Sequence, residues 1–333
     1  WGETVVLGGS HPNGTSAVNP LSYMVVEGFM KYDITHPNVY CRLPKECPQD
    51  FIDLSAKYLK DGQNRAQILN DESIMNALTK NGVSDDDASN YYCGGCMEVG
   101  VQSATSDLLF AGWHNIAKVV ELCITGGRSL TDGYVIQNRK YKSIFDFDNF
   151  EDFYQYFVSE SDYLLDISMQ FEDFASEAMD TARPAYLVST MINDCILRGR
   201  AMHAGGARYH DYGASVIGIP NATDALYALK RAIFDDKICT KEELLAALEA
   251  NFEGHEKLRK KLIALPKYGQ EHEEVDMLAA NVDDGLTEHS LLLASRIEPS
   301  RLRGNYRVAR KHADAVLAAV VVYRLEEGVI LKS

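Results

Sequence analysis

The stretch Tyr91-Tyr92-Cys93-Gly94-Gly95-Cys96-Met97-Glu98 decides how this chain is read. Its aromatic start favours a strand. Gly94 and Gly95 have no Cβ, so they permit a bend that brings backbone and thiol close to a ligand. Read from the residues alone, the stretch keeps several meanings open. Cys93-x-x-Cys96 is a redox pair if the second cysteine stands at a helix start, but helical spacing resumes only about ten residues later. It is half a zinc site if a second pair supplies ligands, and Cys41 with Cys47 is a poor partner. Or a strand ends at Cys93 and throws out a tight loop with Cys96 at its tip and Glu98 beside it. A thiol and a carboxylate in one small volume suit hydrogen abstraction with proton transfer. A loop without chemistry is the plain alternative.

Outward from this stretch, apolar runs alternate with helical patterns. Upstream, Thr4–Leu7 reads as a strand running into Gly8-Gly9. Phe51, Ile52, Leu54, Tyr58 and Leu59 give helical spacing closed by Gly62. Ala66–Leu69 is a short apolar run, and Asn70 or Asp71 can cap a helix over 72–81 ending at Gly82. Ser84 opens another helix, with three aspartates in its first turn. Downstream, Leu109, Trp113, Ile116, Val120 and Cys123 predict one long helix from Ser106, stopped by Gly126-Gly127. Residues 149–178 carry aromatics at helical spacing, and the stripe from Phe145 to Phe174 reads as core. Pro184 starts a further helix that continues over 186–197. Ser215–Ile219 reads as a strand, 223–236 as a helix, and Thr240-Lys241-Glu242-Glu243 as a capping box opening the helix 242–252. This alternation predicts an α/β architecture, and the simplest reading is one continuous domain without repeats.

The bulk properties exclude several classes. At 333 residues and 46% hydrophobic content, the chain can bury a sizeable core. A net charge of −15 and a pI near 5.0 disfavour binding to nucleic-acid backbones. No apolar run reaches about 18 residues, so no membrane span is expected. Seven cysteines in a long chain do not fit a secreted disulfide framework; free thiols in a reducing cytoplasm fit better. The chain begins at Trp1, inside what reads as a strand, which suggests a fragment or processed product. No signal peptide is visible.

Blocks along the chain resemble the glycyl radical enzymes related to pyruvate formate-lyase. They are Asn70-Asp71-Glu72, Gly95-Cys96-Met97-Glu98, the run from Gly112-Trp113-His114-Asn115 to Gly126-Gly127, Arg198-Gly199-Arg200 with Gly205-Gly206-Ala207-Arg208-Tyr209, Gly218-Ile219-Pro220-Asn221-Ala222-Thr223-Asp224, Phe252-Glu253-Gly254, Pro266-Lys267-Tyr268-Gly269 and Val275-Asp276. Their common order over roughly residues 1–280 carries the resemblance. It implies part of a ten-stranded α/β barrel, helices outside, with the catalytic cysteine on an inner finger loop. Residues 1–282 would form this partial barrel domain, and 283–333 a divergent C-terminal segment.

The resemblance also implies a radical lyase mechanism on a small organic substrate. Cys96 matches the thiyl position and Glu98 the acid/base carboxylate. No bound cofactor and no metal is implied. A glycyl radical would be installed by a radical S-adenosylmethionine activating enzyme, and the full-length protein would be a homodimer. The radical glycine is not found here: Arg307-Val308-Ala309 is followed by Arg310 where the family has glycine. The chain as given is therefore expected to hold no radical of its own, and a catalytically inactive truncated homologue is the alternative. Acyl transfer of the formate C-acetyltransferase kind needs two adjacent cysteines, and Gly95 stands before Cys96. Polyol dehydratases tend to carry an acidic residue about fourteen positions after the cysteine; here that place is Phe110, which as a substrate contact would favour an apolar, decarboxylase-type pocket, with an ordinary core residue as the plainer reading. His11, after Gly8-Gly9-Ser10, is a further candidate substrate contact, with a turn histidine as the plainer reading. His114, His203 and His210 read as packing residues without metal spacing.

Overall fold

The computed structural model describes residues 4–32, 36–60, 66–94, 98–106, 112–136, 139–210 and 214–282. In chain order the elements are β1 (Thr4–Gly8), α1 (Pro20–Tyr32), β2 (Asn38–Leu43), α2 (Gln49–Lys60), β3 (Ala66–Asn70), α3 (Asp71–Lys80), α4 (Asp85–Ser89), β4 (Tyr91–Gly94), β5 (Glu98–Val101), β6 (Gly112–Asn115), α5 (Ile116–Thr125), α6 (Phe150–Ala182), α7 (Tyr186–Ser189), α8 (Cys195–Arg198), β7 (Ala214–Ile217), α9 (Ile219–Leu229), α10 (Lys241–Glu249) and α11 (Glu256–Ile263). The described residues divide into two compact units: 4–112 with 172–214, and 113–171 with 215–282.

The first unit is built on a parallel sheet. β2 lies between β1 and β3 and runs parallel to both, with Leu7 opposite Cys41 and Cys41 opposite Ile68. A parallel strand needs a crossover to return, and α1 and α2 supply it. β2 is buried along almost its whole length, as a central parallel strand should be. Neither β2 nor α1 is marked by the sequence patterns above. Apolar clusters on both faces of the sheet hold this part of the unit. Val26, Val39, Cys41, Phe51 and Tyr58 join the sheet to its helices, while Tyr40, Leu69, Ile74, Leu78, Tyr91, Cys93 and Val99 join it to α3 and the β4–β5 hairpin. The caps fall where the sequence put them: Asn70 accepts from the Ser73 amide at 3.0 Å, and Ser84 from the Asp87 amide at 3.2 Å.

Further on in this unit, the helix expected over 186–197 is broken into α7 and α8. Asp194 adopts φ 74° between them and cannot continue a right-handed helix. Tyr186, Leu187, Met191, Ile196 and Leu197 are exposed, as is Phe174 on α6. The aromatic stripe is therefore core only in its first half.

The second unit packs α5, the start of α6, α9 and α10 around Ile116, Val120, Ile144, Phe153, Phe157, Leu226 and Leu244. The long helix expected from Ser106 is corrected here. Residues 112–115 form β6, which pairs with β7, and α5 starts only at Ile116. The Asn115 side chain accepts from the Lys118 amide at 3.1 Å, which is what begins the helix. Gly126, at φ 71°, closes it.

His114 lies on β6 rather than on a helix and is buried, and burial keeps its imidazole neutral down to about 4. The folded pKa is thus below the unfolded value. As pH falls, the unfolded chain takes up this proton first, so stability drops between about 6.5 and about 4 and levels off below. Urea midpoints over that range should show a His114 contribution with a slope of at most about 1.4 kcal/mol per pH unit. The difference between parent and His114→Gln isolates it from the carboxylates.

Candidate active site

The site grows from the carboxyl ends of the three parallel strands, the side of an open α/β sheet on which ligands bind. β1 ends in Gly8-Gly9. The Gly9 amide donates to the Arg42 carbonyl at 3.0 Å, and Gly8 is paired with Arg42. At Gly9, φ is +86° and an added Cβ would stand 2.6 Å from Arg42 Cζ, so only glycine lets the backbone pass so close to the guanidinium.

Arg42 is buried, with a side chain 8% exposed. A buried guanidinium must be paired and hydrogen-bonded. Its Nε donates to Asp71 Oδ1 at 2.6 Å, Nη1 to the Tyr91 carbonyl at 3.0 Å and Nη2 to the Ser89 carbonyl at 3.0 Å. Its Cζ lies 3.8 Å from the centre of the Tyr91 ring. Asp71, the first residue of α3, is fully buried and also accepts from Ser10 Oγ at 2.7 Å. Three strand ends and the start of β4 thus share one polar cluster.

From this cluster the hairpin extends. β4 and β5 are antiparallel, with Tyr91 opposite Val101, Cys93 opposite Val99, and Gly94 opposite Glu98. The register leaves residues 95–97 as the whole connection between the strands. Cys96 is among them, and both Cys96 and Phe110 lie outside the described residues. Glu98 is half-buried at the first position of β5. At the other end, the Gln102 amide donates to Asn90 at 3.2 Å, and Thr105 bridges to Tyr209. Tyr209 in turn donates its hydroxyl to Asp87 at 2.6 Å, and Arg208 spans Asp87 and Asp194.

Cys93 has a different character from a reactive thiol. It is fully buried, and burial pushes it up to about 12; Arg42 opposes this and Glu98 adds to it. Such a sulfur stays protonated at neutral pH. It is therefore a poor nucleophile. Among the described residues no group of three or more His, Cys, Asp or Glu could hold a metal, and no helix is long and apolar enough to cross a membrane.

The remaining sequence candidates fall elsewhere. His11 is exposed in a turn in which its amide donates to Thr15 at 2.8 Å; its neighbour Ser10, not His11, reaches the polar cluster. His203 and His210 are buried, with His210 Nδ1 3.2 Å from the Met202 carbonyl. Arg42 was missed. Its signal was a lone charge in the apolar run Val39-Tyr40-Cys41-Arg42-Leu43, a pattern that calls for a buried partner.

A family described as pyruvate formate lyase-like matches residues 2–290. The chain belongs to this family of glycyl radical enzymes. It is 29% identical over 282 residues to trans-4-hydroxy-L-proline dehydratase of Clostridioides difficile, covering 83% of this chain and 35% of that protein. It is 25% identical over 289 residues to isethionate sulfite-lyase of Oleidesulfovibrio alaskensis, covering 84% and 34%. The glycerol-bound B12-independent glycerol dehydratase from Clostridium butyricum superposes with a TM-score of 0.79 at 27% identity, covering 92% of this chain and 38% of that one. The expected α/β fold of the pyruvate formate-lyase type is borne out. The chain spans roughly a third of the length of these relatives.

Proposed function

We propose that this chain carries the finger hairpin of a glycyl radical lyase that cleaves a C–O or C–C bond of a small organic substrate, with dehydration as the preferred reaction. The observation that carries the reading is the Gly94–Glu98 pairing, which sets a three-residue, thiol-bearing connection directly before a carboxylate. A short thiol-bearing connection suits hydrogen-atom exchange with a backbone radical held in another segment. The glycyl radical supplies that first abstraction from the thiol.

Cys96 then takes a hydrogen atom from a substrate C–H and later returns it. An S–H bond is close enough in strength to such a C–H bond for transfer to run both ways. Glu98 accepts or delivers the proton that accompanies loss of the leaving group; in a dehydration, hydroxide and that proton leave as water. Dehydration is preferred because the hydroxyproline dehydratase is more identical to this chain than the isethionate sulfite-lyase, 29% against 25%, and the glycerol dehydratase superposes with a TM-score of 0.79. Phe110 and His11 remain proposed substrate contacts. The complete enzyme is proposed to be a cytoplasmic homodimer served by a radical S-adenosylmethionine activating enzyme, with 1–282 as barrel and 283–333 as a separate segment. Acyl transfer is disfavoured, because Gly95 precedes Cys96 and Cys93 is a buried, protonated thiol.

The test is Glu98→Gln at the matching position of a complete relative carrying this hairpin. Removing an acid/base carboxylate should lower kcat about 10²- to 10⁴-fold. Exchange of substrate hydrogen with the thiol, followed with deuterated substrate, should persist. Unchanged kcat would remove Glu98 from the mechanism.

A further inference from the structure

We propose that Arg42 is the positioning residue of the finger hairpin, held in aim by Asp71 and Ser10. This rests on the preceding reading for its catalytic meaning, but its physical content lies in the first unit alone. The guanidinium donates to the carbonyls of Ser89 and Tyr91, which bracket the point where β4 begins. Tyr91 pairs with Val101, three residue pairs below Gly94–Glu98. That is about 10 Å along the strand. A carbonyl fixed at this base sets the phase of both strands, and a slip of one residue would turn every side chain of the hairpin to the opposite face. Glu98 would then leave the face it now occupies.

Three features single Arg42 out from ordinary packing. Its fork is planar and rigid, so two carbonyls are fixed at once. Its partners are tied to the sheet: Asp71 starts α3 directly after β3, and Ser10 follows the Gly8-Gly9 end of β1. Gly9 gives up a side chain to admit it, since any Cβ there would collide with the guanidinium. A buried ion pair adds little stability over an apolar pair of similar volume, so the presence of Arg42–Asp71 at this point is accounted for by specificity of placement. Tyr209 joins the chain at Ala104–Ser106, just past the base of the hairpin, whereas Arg42 holds the carbonyls of Ser89 and Tyr91 on the entering strand.

The experiment replaces both charges together, in Arg42→Met/Asp71→Leu, using the chain itself. Urea unfolding reads stability. Amide hydrogen exchange over 91–94 and 98–101, and alkylation of the Cys93 thiol, read the hairpin. The expected result is a parent-like unfolding midpoint with at least tenfold faster exchange in the hairpin and at least tenfold faster alkylation of Cys93, while β2 and β3 keep parent rates. Parent-like hairpin protection in the double variant would overturn the proposal and leave Arg42–Asp71 a structural pair. Should the double variant not fold, Arg42→Lys takes its place, because it keeps the charge but cannot fork onto two carbonyls. Tenfold faster hairpin exchange then supports the proposal, and parent rates overturn it. None of these readings needs turnover, so a wrong role for Cys96 or Glu98 would leave them unchanged.

Discussion

Cys96→Ala at the matching position of a complete relative should abolish turnover, by at least about 10⁴-fold, the scale on which losing the group that carries the chemistry is felt. The glycyl radical signal in electron paramagnetic resonance should remain, because the alanine variant lacks only the hydrogen relay and not the site of the stored radical. Cys93→Ala is the informative partner. Cys93 is buried opposite Val99 and held protonated up to about 12, so it has no thiolate with which to attack a carbonyl. Its alanine variant should keep turnover within a few-fold of the parent. If Cys93→Ala were as inactive as Cys96→Ala, the two sulfurs would work as a pair, and the acyl-transfer reading would return. If Cys96→Ala kept its activity, the thiyl assignment would fall.

The largest expected stability effect lies at the end of β1. Gly8 has φ +76°, and an added Cβ would stand 2.4 Å from the Arg42 carbonyl oxygen. That oxygen belongs to the backbone of the central strand, so it cannot swing aside as a side chain would. Left-handed strain costs about 1–3 kcal/mol, and overpacking adds about 1–3 kcal/mol. Gly8→Ala should therefore destabilise the chain by about 3 kcal/mol or more in urea unfolding. Gly14→Ala is the control. It has nearly the same φ, +82°, but nothing within 4 Å of its added Cβ. It should lose only the strain, at the lower end of that range. Equal losses at the two positions would show that conformation, not the collision, sets the cost.

Much of this protein was legible because it is local. Helix caps at Asn70, Ser84 and Thr240 are written in single side chains that satisfy amides three residues away. The strand β4 and the turn after it were legible because a glycine pair follows an aromatic run, whereas the partner strand β5 was not marked in the sequence. The family was legible in the order of its blocks. Each of these rests on neighbours within a few residues, or on the linear order itself.

Tertiary structure decided the rest. Asn38–Leu43 becomes the central strand only because β1 and β3 flank it, and its charged Arg42 breaks the apolar pattern that would have announced it. The apolar spacing from Leu109 to Cys123 fits a helix, yet residues 112–115 form a strand. Pairing with β7 and the Asn115 cap outweigh a weak helical preference there. The aromatic stripe divides into buried Phe153 and Phe157 and exposed Phe171 and Phe174, a distinction that periodicity cannot make. The polar cluster of Ser10, Arg42, Asp71 and Tyr91 joins residues up to 81 positions apart. A charge in the sequence states that it needs a partner if buried; which partner it finds is settled only when the strand ends meet.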